Sequence, residues 1–215
     1  MSLKIVLVDD HTLFREGLRC LIEKQPDIEV VGEAADGRKA IHVTNELRPD
    51  LVIMDVKMPV MNGIDATRQI IDKFSGVKVL ALSMYSDTRF VLEMLRAGAS
   101  GYLLKDSSFE ELNRAIRTVV SNNIYLSPGI ACIVVETLLS QQSSSDSLVF
   151  SLLTDREREV LQLLSEGNST KQIALHLYVS VKTVESHRQN IMNKLDIYSV
   201  AELTKYAIRE GLTSL

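Results

Sequence analysis

Leu51-Val-Ile-Met-Asp-Val-Lys-Met-Pro59 sets an unbroken apolar run directly before a carboxylate. A strand wetted on one face alternates apolar and polar residues, whereas a strand covered on both faces stays apolar throughout, as in parallel sheets. Leu51 to Met54 is therefore expected as an interior strand that ends at Asp55. The same pattern recurs on either side, in Lys4 to Val8 before Asp9-Asp10 and in Lys78 to Leu82 before Ser83. Ile28 to Gly32 and Gly101 to Leu104, the latter followed by Lys105, complete five expected strands. Amphipathic stretches lie between and after them: Thr12 to Gln25, Arg38 to Leu47, Ile64 to Phe74, Arg89 to Ala97 and Phe109 to Val120. Pro26 and Pro49 punctuate the ends of two, and Ser108 with Glu111 has capping-box spacing. Strand and helix in alternation predict an α/β fold around a five-stranded parallel sheet.

A chain of 215 residues is long enough for two domains. With 46% apolar and 24% charged residues it falls in the globular range. No apolar run approaches the roughly 18 residues of a membrane span, and Met1 to Asp10 has no signal-peptide pattern, so a cytoplasmic protein with no membrane partner is expected. Cys20 and Cys132 fall in apolar helical patterns and are expected as buried, reduced thiols. The net charge of −4 belongs to the N-terminal part: Phe150 to Leu215 holds eight basic and eight acidic residues, leaving 16 and 20 elsewhere.

After Tyr125 an apolar helix is expected from Pro128 to about Leu139, and Ser140 to Ser147 reads as a flexible, serine-rich linker. Beyond it no strand-like run remains. Thr154-Asp-Arg-Glu157 and Ser199-Val-Ala-Glu202 have capping-box spacing. Lys171 to Leu177 and Val181 to Leu195 carry helical periodicity, and only Tyr178-Val-Ser180 separates them. Two helices joined by so short a turn predict a helix-turn-helix. The expected organisation is a domain over 1–122, a linker helix and flexible linker over 123–149, and a separate all-α four-helix domain over 150–215.

In an open parallel sheet the carboxyl ends of the strands are where functional groups gather. Asp9, Asp10 and Asp55 end the first and third strands, and if those strands are neighbours the acids crowd one crevice. Uncompensated, such crowding costs several kcal/mol, on the order of what a bound divalent cation relieves. An all-oxygen site with room for water suits Mg²⁺. Ser83 and Lys105, ending the fourth and fifth strands, supply a hydroxyl and an ammonium suited to phosphoryl oxygens.

Asp9-Asp10, Asp55 within Asp55-Val-Lys-Met-Pro-Val-Met-Asn-Gly63, Ser83, Tyr102 and Lys105 together resemble the response-regulator receiver family over Ser2 to about Ser121. The resemblance implies a flavodoxin-like, doubly wound sheet of order 2-1-3-4-5. It implies Asp55 as phosphoacceptor, Mg²⁺ on Asp10 and Asp55 directly and on Asp9 through water, and the backbone carbonyl of Lys57 as a further ligand. Ser83 would move to the new phosphoryl group and Tyr102 would rotate into the space it leaves. The resemblance also implies that Lys57 and Tyr85, each two residues past a pocket residue, flank the approach of hydrolytic water. Many receivers carry proline after the lysine, where this chain has Asp106, which leaves the geometry of that loop open.

On the helix from Val181, a 100° step places Val184, Ile191 and Leu195 on one side. Lys182, Ser186, Gln189, Asn190 and Asn193 face the other way, and Thr183, Glu185 and His187 lie on the flanks. Short amides, hydroxyls and a lysine on one face suit base edges in a major groove, and Thr170 and Lys171 at the preceding helix start suit phosphate. Leu153 to Leu161, Glu166-Gly167, Ile173-Ala174, Val181 to Arg188 and Ile191 to Leu195 are similar to the LuxR-type helix-turn-helix family over Leu152 to Leu212. That resemblance implies base contacts from Lys182, Glu185, Ser186 and Gln189, and backbone contacts from Thr170, Lys171, Thr183 and His187. Arg188 is expected to pair with Glu157 or Glu159. A receiver joined to such a domain defines the NarL/FixJ class. It implies a sensor histidine kinase as phosphodonor and a homodimer on paired half-sites of double-stranded DNA. Aspartyl-phosphate hydrolases share the pocket, but their second acid two residues after the nucleophile is Lys57 here, so turnover is not expected.

Overall fold

The computed structural model describes residues 2–140 and 152–213. The chain divides into two compact units, Met1–Ser143 and Ser144–Leu215. In the first, strands and helices alternate: β1 (Leu3–Val8), α1 (Thr12–Ile22), β2 (Ile28–Ala34), α2 (Gly37–Leu47), β3 (Leu51–Met54) and α3 (Gly63–Lys73). There follow β4 (Lys78–Ser83), α4 (Thr88–Arg96), β5 (Gly101–Leu104), α5 (Phe109–Val120), β6 (Tyr125–Leu126) and α6 (Pro128–Ser140). The strands are parallel in the order β2-β1-β3-β4-β5-β6.

Every residue of β3 is buried, as its unbroken apolar run requires. Ile5, Leu7, Ile53, Leu80 and Leu103 form one face, packed with Leu18 and Ile22 of α1 and Ile116 and Val119 of α5. Each such side chain contributes roughly 1.5–3 kcal/mol by leaving water. In register, Val8 stands beside Met54, Met54 beside Ala81 and Ser83 beside Leu104, so the strands end together. That alignment, more than any local signal, brings the residues after β1, β3, β4 and β5 to one edge.

The sheet has six strands among the described residues, one more than expected. Tyr125 N donates to Ser100 O at 3.1 Å and Ser127 N to Tyr102 O at 3.2 Å. A strand of two residues is too short to show alternation, which is why the segment reads as a connector. The helix expected from Pro128 is present as α6, packs on α4 and fully buries Ile130. The compact unit thus continues past residue 122. Of the expected serine-rich linker, residues 141–147 lie outside the described residues. Both cysteines are exposed free thiols, against expectation: Cys20 faces solvent on α1 and Cys132 on α6, since an apolar pattern does not fix which residue at its margin turns inward.

In the second unit α7 (Asp155–Ser165), α8 (Thr170–Leu177), α9 (Val181–Leu195) and α10 (Val200–Arg209) enclose a core of Val160, Leu161, Ile173, Val184, Ile191 and Leu203. Thr154 forms its capping box with Glu157, and Ser169 forms another with Gln172. Ser199 makes no side-chain cap bond, so its expected box is not closed. Arg188 is not the partner of the buried acids: Lys194 Nζ lies 2.7 Å from Glu157 Oε2, and Arg156 Nη1 lies 2.6 Å from Glu159 Oε2. Burial alone would raise the Glu157 carboxyl, but Lys194 and the Thr154 cap hold it below the usual range.

Candidate functional site

Asp9, Asp55 and Ser83 are almost wholly buried at the common edge of β1, β3 and β4. Lys105, just past β5, joins them. Its Nζ lies 2.6 Å from Asp9 Oδ2 and 2.6 Å from Asp55 Oδ2, and its backbone N donates to Ser83 O at 2.8 Å. Asp55 Oδ1 accepts from Val56 N at 2.7 Å. Burial pushes the Asp55 carboxyl up to about 6 although Lys105 pulls the other way. For Lys105 burial opposes the charge, yet the two carboxylates outweigh it and hold the ammonium above its ordinary value. A charged lysine therefore bridges two acids, one of which ionises reluctantly.

The pocket also has the donors for a cation. Ligand atoms of Asp9, Asp10, His11 and Asp55 all lie within 4.8 Å of one another. Asp10 Oδ1 is buried without a hydrogen bond, although His11 Nδ1 stands 3.1 Å away outside hydrogen-bonding geometry. A buried carboxylate oxygen with no donor is a costly feature that a cation relieves. The residues present fit a divalent metal ion.

Ser83 Oγ accepts from Tyr85 N at 3.1 Å. Tyr102 is fully buried and its hydroxyl donates to Tyr85 O at 2.6 Å; burial pushes that hydroxyl up to about 12. The tyrosine expected to swing inward thus already lies inward. Lys57 Nζ sits 4.1 Å from the centre of the Tyr85 ring and 4.7 Å from that of Phe90, and desolvation lowers its pKa. The peptide bond between Lys105 and Asp106 is trans.

In the second unit Tyr178 turns the chain between α8 and α9 in the left-handed region, at φ 55°. Lys182, Glu185, Ser186, Gln189, Asn190 and Asn193 form an exposed face of α9, while Val184 and Ile191 are buried. Thr183 and His187 are half-buried on its flank, as is Thr170 at the start of α8, and Lys171 is exposed. The Thr183 hydroxyl lies 2.8 Å from Ser180 Oγ, within the cap of α9.

Two family matches divide the chain as its fold does: "Response regulator receiver domain" over residues 5–117 and "Bacterial regulatory proteins, luxR family" over residues 151–207. Oxygen regulatory protein NreC of Staphylococcus carnosus is 40% identical over 214 residues, 98% of this chain and 99% of its own. The chain belongs to the NarL/FixJ class of response regulators. A LuxR-family two-component response regulator from Aurantimonas sp. SI85-9A1 is 39% identical with a TM-score of 0.62, over 65% of this chain and 100% of that one. ChrA, a response regulator of a heme-sensing two-component system, is 32% identical with a TM-score of 0.54 over 98% of both chains. This response regulator is accordingly a two-component transcriptional regulator, with a receiver and a LuxR-type DNA-binding domain. No helix among the described residues is long and apolar enough to cross a membrane.

One pair behind the receiver's pocket is not legible from motifs. Arg15, on α1, donates through Nη1 to the backbone carbonyl of Asp9 at 2.6 Å. Glu33 on β2 orients it, accepting from Arg15 Nε at 2.8 Å and from Arg19 Nη1 at 2.9 Å. The turn carrying Asp9 and Asp10 is thereby pinned from behind by a guanidinium. Its only sequence signal is an arginine on the flank of an amphipathic helix. Arg15→Ala is expected to slow phosphorylation of the receiver, assayed with Mg²⁺ present, about tenfold, on the scale of one charge-assisted bond of roughly 1.5–3 kcal/mol. Initial rates at several Mg²⁺ concentrations check this, and rates equal to wild type at every concentration would remove Arg15 from the site.

Proposed function

We propose that Asp55 accepts a phosphoryl group from the phosphohistidine of a sensor kinase in the cytoplasm, and that this controls dimerisation and DNA binding. The observation that carries the reading is Lys105, whose ammonium bridges Asp9 and Asp55 at 2.6 Å each. An Asp55 carboxylate oxygen attacks phosphorus as the bond to the imidazole nitrogen breaks, and the imidazole takes up a proton. Lys105 is placed to follow the new phosphoryl oxygens and offset their charge. Asp9, Asp10, Asp55 and the backbone carbonyl of Lys57 would hold Mg²⁺, which supplies further charge neutralisation when bound. Ser83 then turns its hydroxyl to the acyl phosphate, which loosens its hold on Tyr85 N and shifts the Tyr102–Tyr85 contact. The difference between the two states is made by those contacts.

The chain performs no turnover of its own in this reading. A general acid two residues after Asp55 is replaced by Lys57, whose ammonium is held over aromatic rings. Output comes from α9 in the major groove, with Lys182, Glu185, Ser186 and Gln189 at base edges and Thr170, Lys171, Thr183 and His187 at the backbone. A homodimer on paired half-sites supplies the avidity that a domain with balanced charge lacks. Gln189→Ala is expected to cost about 1–3 kcal/mol on the operator and little on other DNA, whereas Lys171→Ala weakens both alike. Fluorescence anisotropy on matched and scrambled duplexes separates the two.

Intact mass after incubation with Mg²⁺ and acetyl phosphate tests the acceptor. Wild type gains one labile phosphoryl group and Asp55→Asn gains none. A gain in both, or in neither, refutes Asp55 as acceptor. Unchanged DNA affinity and dimer fraction in a sample shown to be phosphorylated refute the switch.

A further inference from the structure

We propose that the imidazole of His11 is a nitrogen ligand of the acidic pocket, so that the pocket takes imidazole-seeking divalent cations such as Co²⁺ or Zn²⁺ more tightly than Mg²⁺. The inference rests on the reading that this pocket binds a divalent cation at all. His11 follows the acid pair and starts α1 from an extended backbone, φ −83° and ψ 99°, without serving as a side-chain cap. Its backbone N donates to Asp9 Oδ1 at 2.9 Å, which fixes the residue against the pocket. Its ring is turned the same way, with Nδ1 3.1 Å from Asp10 Oδ1 and 3.3 Å from Asp9 Oδ1.

Ligand atoms about 2.0–2.2 Å from one metal ion stand at most about 4.4 Å apart. The ligand atoms of Asp9, Asp10, His11 and Asp55 lie within 4.8 Å of one another, so shifts of a few tenths of an ångström close the set. The His11 side chain is 70% exposed, so nothing packed around it resists that adjustment. Asp10 Oδ1, buried and without a hydrogen bond, is the ligand atom in want of a partner, while His11 Nδ1 already meets Asp9 Oδ1 in a hydrogen bond of 3.3 Å that a cation would replace.

Cation choice follows from the donor atoms. Mg²⁺ binds carboxylate, carbonyl and water oxygens and gains little from an imidazole. Co²⁺ and Zn²⁺ bind imidazole well and stand above Mn²⁺ in the affinity order of first-row ions. A ring that only hydrogen-bonds the acids would affect every cation alike. Loosening Lys105 from Asp9 and Asp55 is a cost common to all cations, so it cancels when His11 variants are compared.

Titration calorimetry of the metal-free full chain with CoCl₂ and with MgCl₂ tests this, using wild type, His11→Ala and Asp10→Asn. Visible absorption of the Co²⁺ form gives a second readout. His11→Ala is expected to weaken Co²⁺ about tenfold or more and to change its absorption, while Mg²⁺ affinity stays within about twofold. Asp10→Asn is expected to weaken both. Equal losses for the two cations in His11→Ala, no loss for either, or Co²⁺ binding indifferent to Asp10→Asn overturn the proposal. Failure of both cations to bind wild type overturns the pocket reading with it. Mg²⁺ binding that needs Asp10, with Co²⁺ indifferent to His11, leaves the pocket standing and removes only the nitrogen ligand.

Discussion

Gly63→Ala is expected to destabilise the receiver by about 3 kcal/mol and to cut the rate of phosphorylation at Asp55, the proposed acceptor, at least tenfold. Gly63 begins α3, and its N–H closes the loop after β3 by donating to Val56 O at 2.8 Å. A Cβ at this position would lie 1.9 Å from the backbone oxygen of Asp55 and 2.9 Å from its carbonyl carbon. Backbone cannot step aside as the tip of a long side chain can, so either α3 lifts or the Asp55 peptide moves. Both displace the carboxylate from Lys105, and catalytic geometry is sensitive to shifts of about 1 Å. Gly17→Ala on α1 is the control. Nothing lies within 4 Å of a Cβ there, and replacing a helical glycine is expected to stabilise by about 0.5–1 kcal/mol. Urea denaturation and phosphorylation rates on both variants check the pair. A Gly63→Ala protein with wild-type stability and rate would mean that the loop after Asp55 does not position the acceptor.

This clash shows where sequence reading succeeds. The residues that line the pocket stand directly after apolar runs, so the periodicity that defines β1, β3, β4 and β5 also places Asp9, Asp55, Ser83 and Lys105 on one edge. The helix-turn-helix was legible for a similar reason, because the α9 stripe and the gap of Tyr178 to Ser180 are both local. What escaped depends on contacts distant in sequence or too brief to carry a period. Arg15 and Glu33 lie on different elements, and only the packing of α1 on the sheet brings them together. Arg188 and Lys194 sit on opposite edges of one apolar stripe, and periodicity alone cannot choose which edge meets Glu157. The two residues of β6 offer no alternation at all. The phosphoacceptor role and the base contacts came from family resemblance and remain part of the proposal, because geometry alone gives a charged pocket and an exposed polar helix face.

In metal-free buffer at pH 7.5, Asp55→Asn is expected to be more stable than wild type by roughly 1–3 kcal/mol, the free energy of about two pH units of displaced titration. The sign follows from burial. Asp55 is 4% exposed, and desolvation raises its carboxyl from 3.8 to about 6 despite Lys105. Between those values the folded state binds the proton more tightly than the unfolded state does, so stability falls as pH rises through that window and stays lower above it. Asparagine has no charge to desolvate, while Lys105 keeps Asp9 as its partner at 2.6 Å. The advantage of Asp55→Asn should therefore shrink by about pH 4, where wild-type Asp55 is protonated when folded. Thermal melts at the two pH values with a chelator present check this, with a rise in Tm of roughly 3 °C or more expected at pH 7.5. A variant no more stable than wild type, or equally favoured at both pH values, would contradict a strained acceptor. The strain has a use: a carboxylate held at a cost in the free protein has more to gain from a cation or a phosphoryl group, so part of the driving force for switching is stored before either arrives.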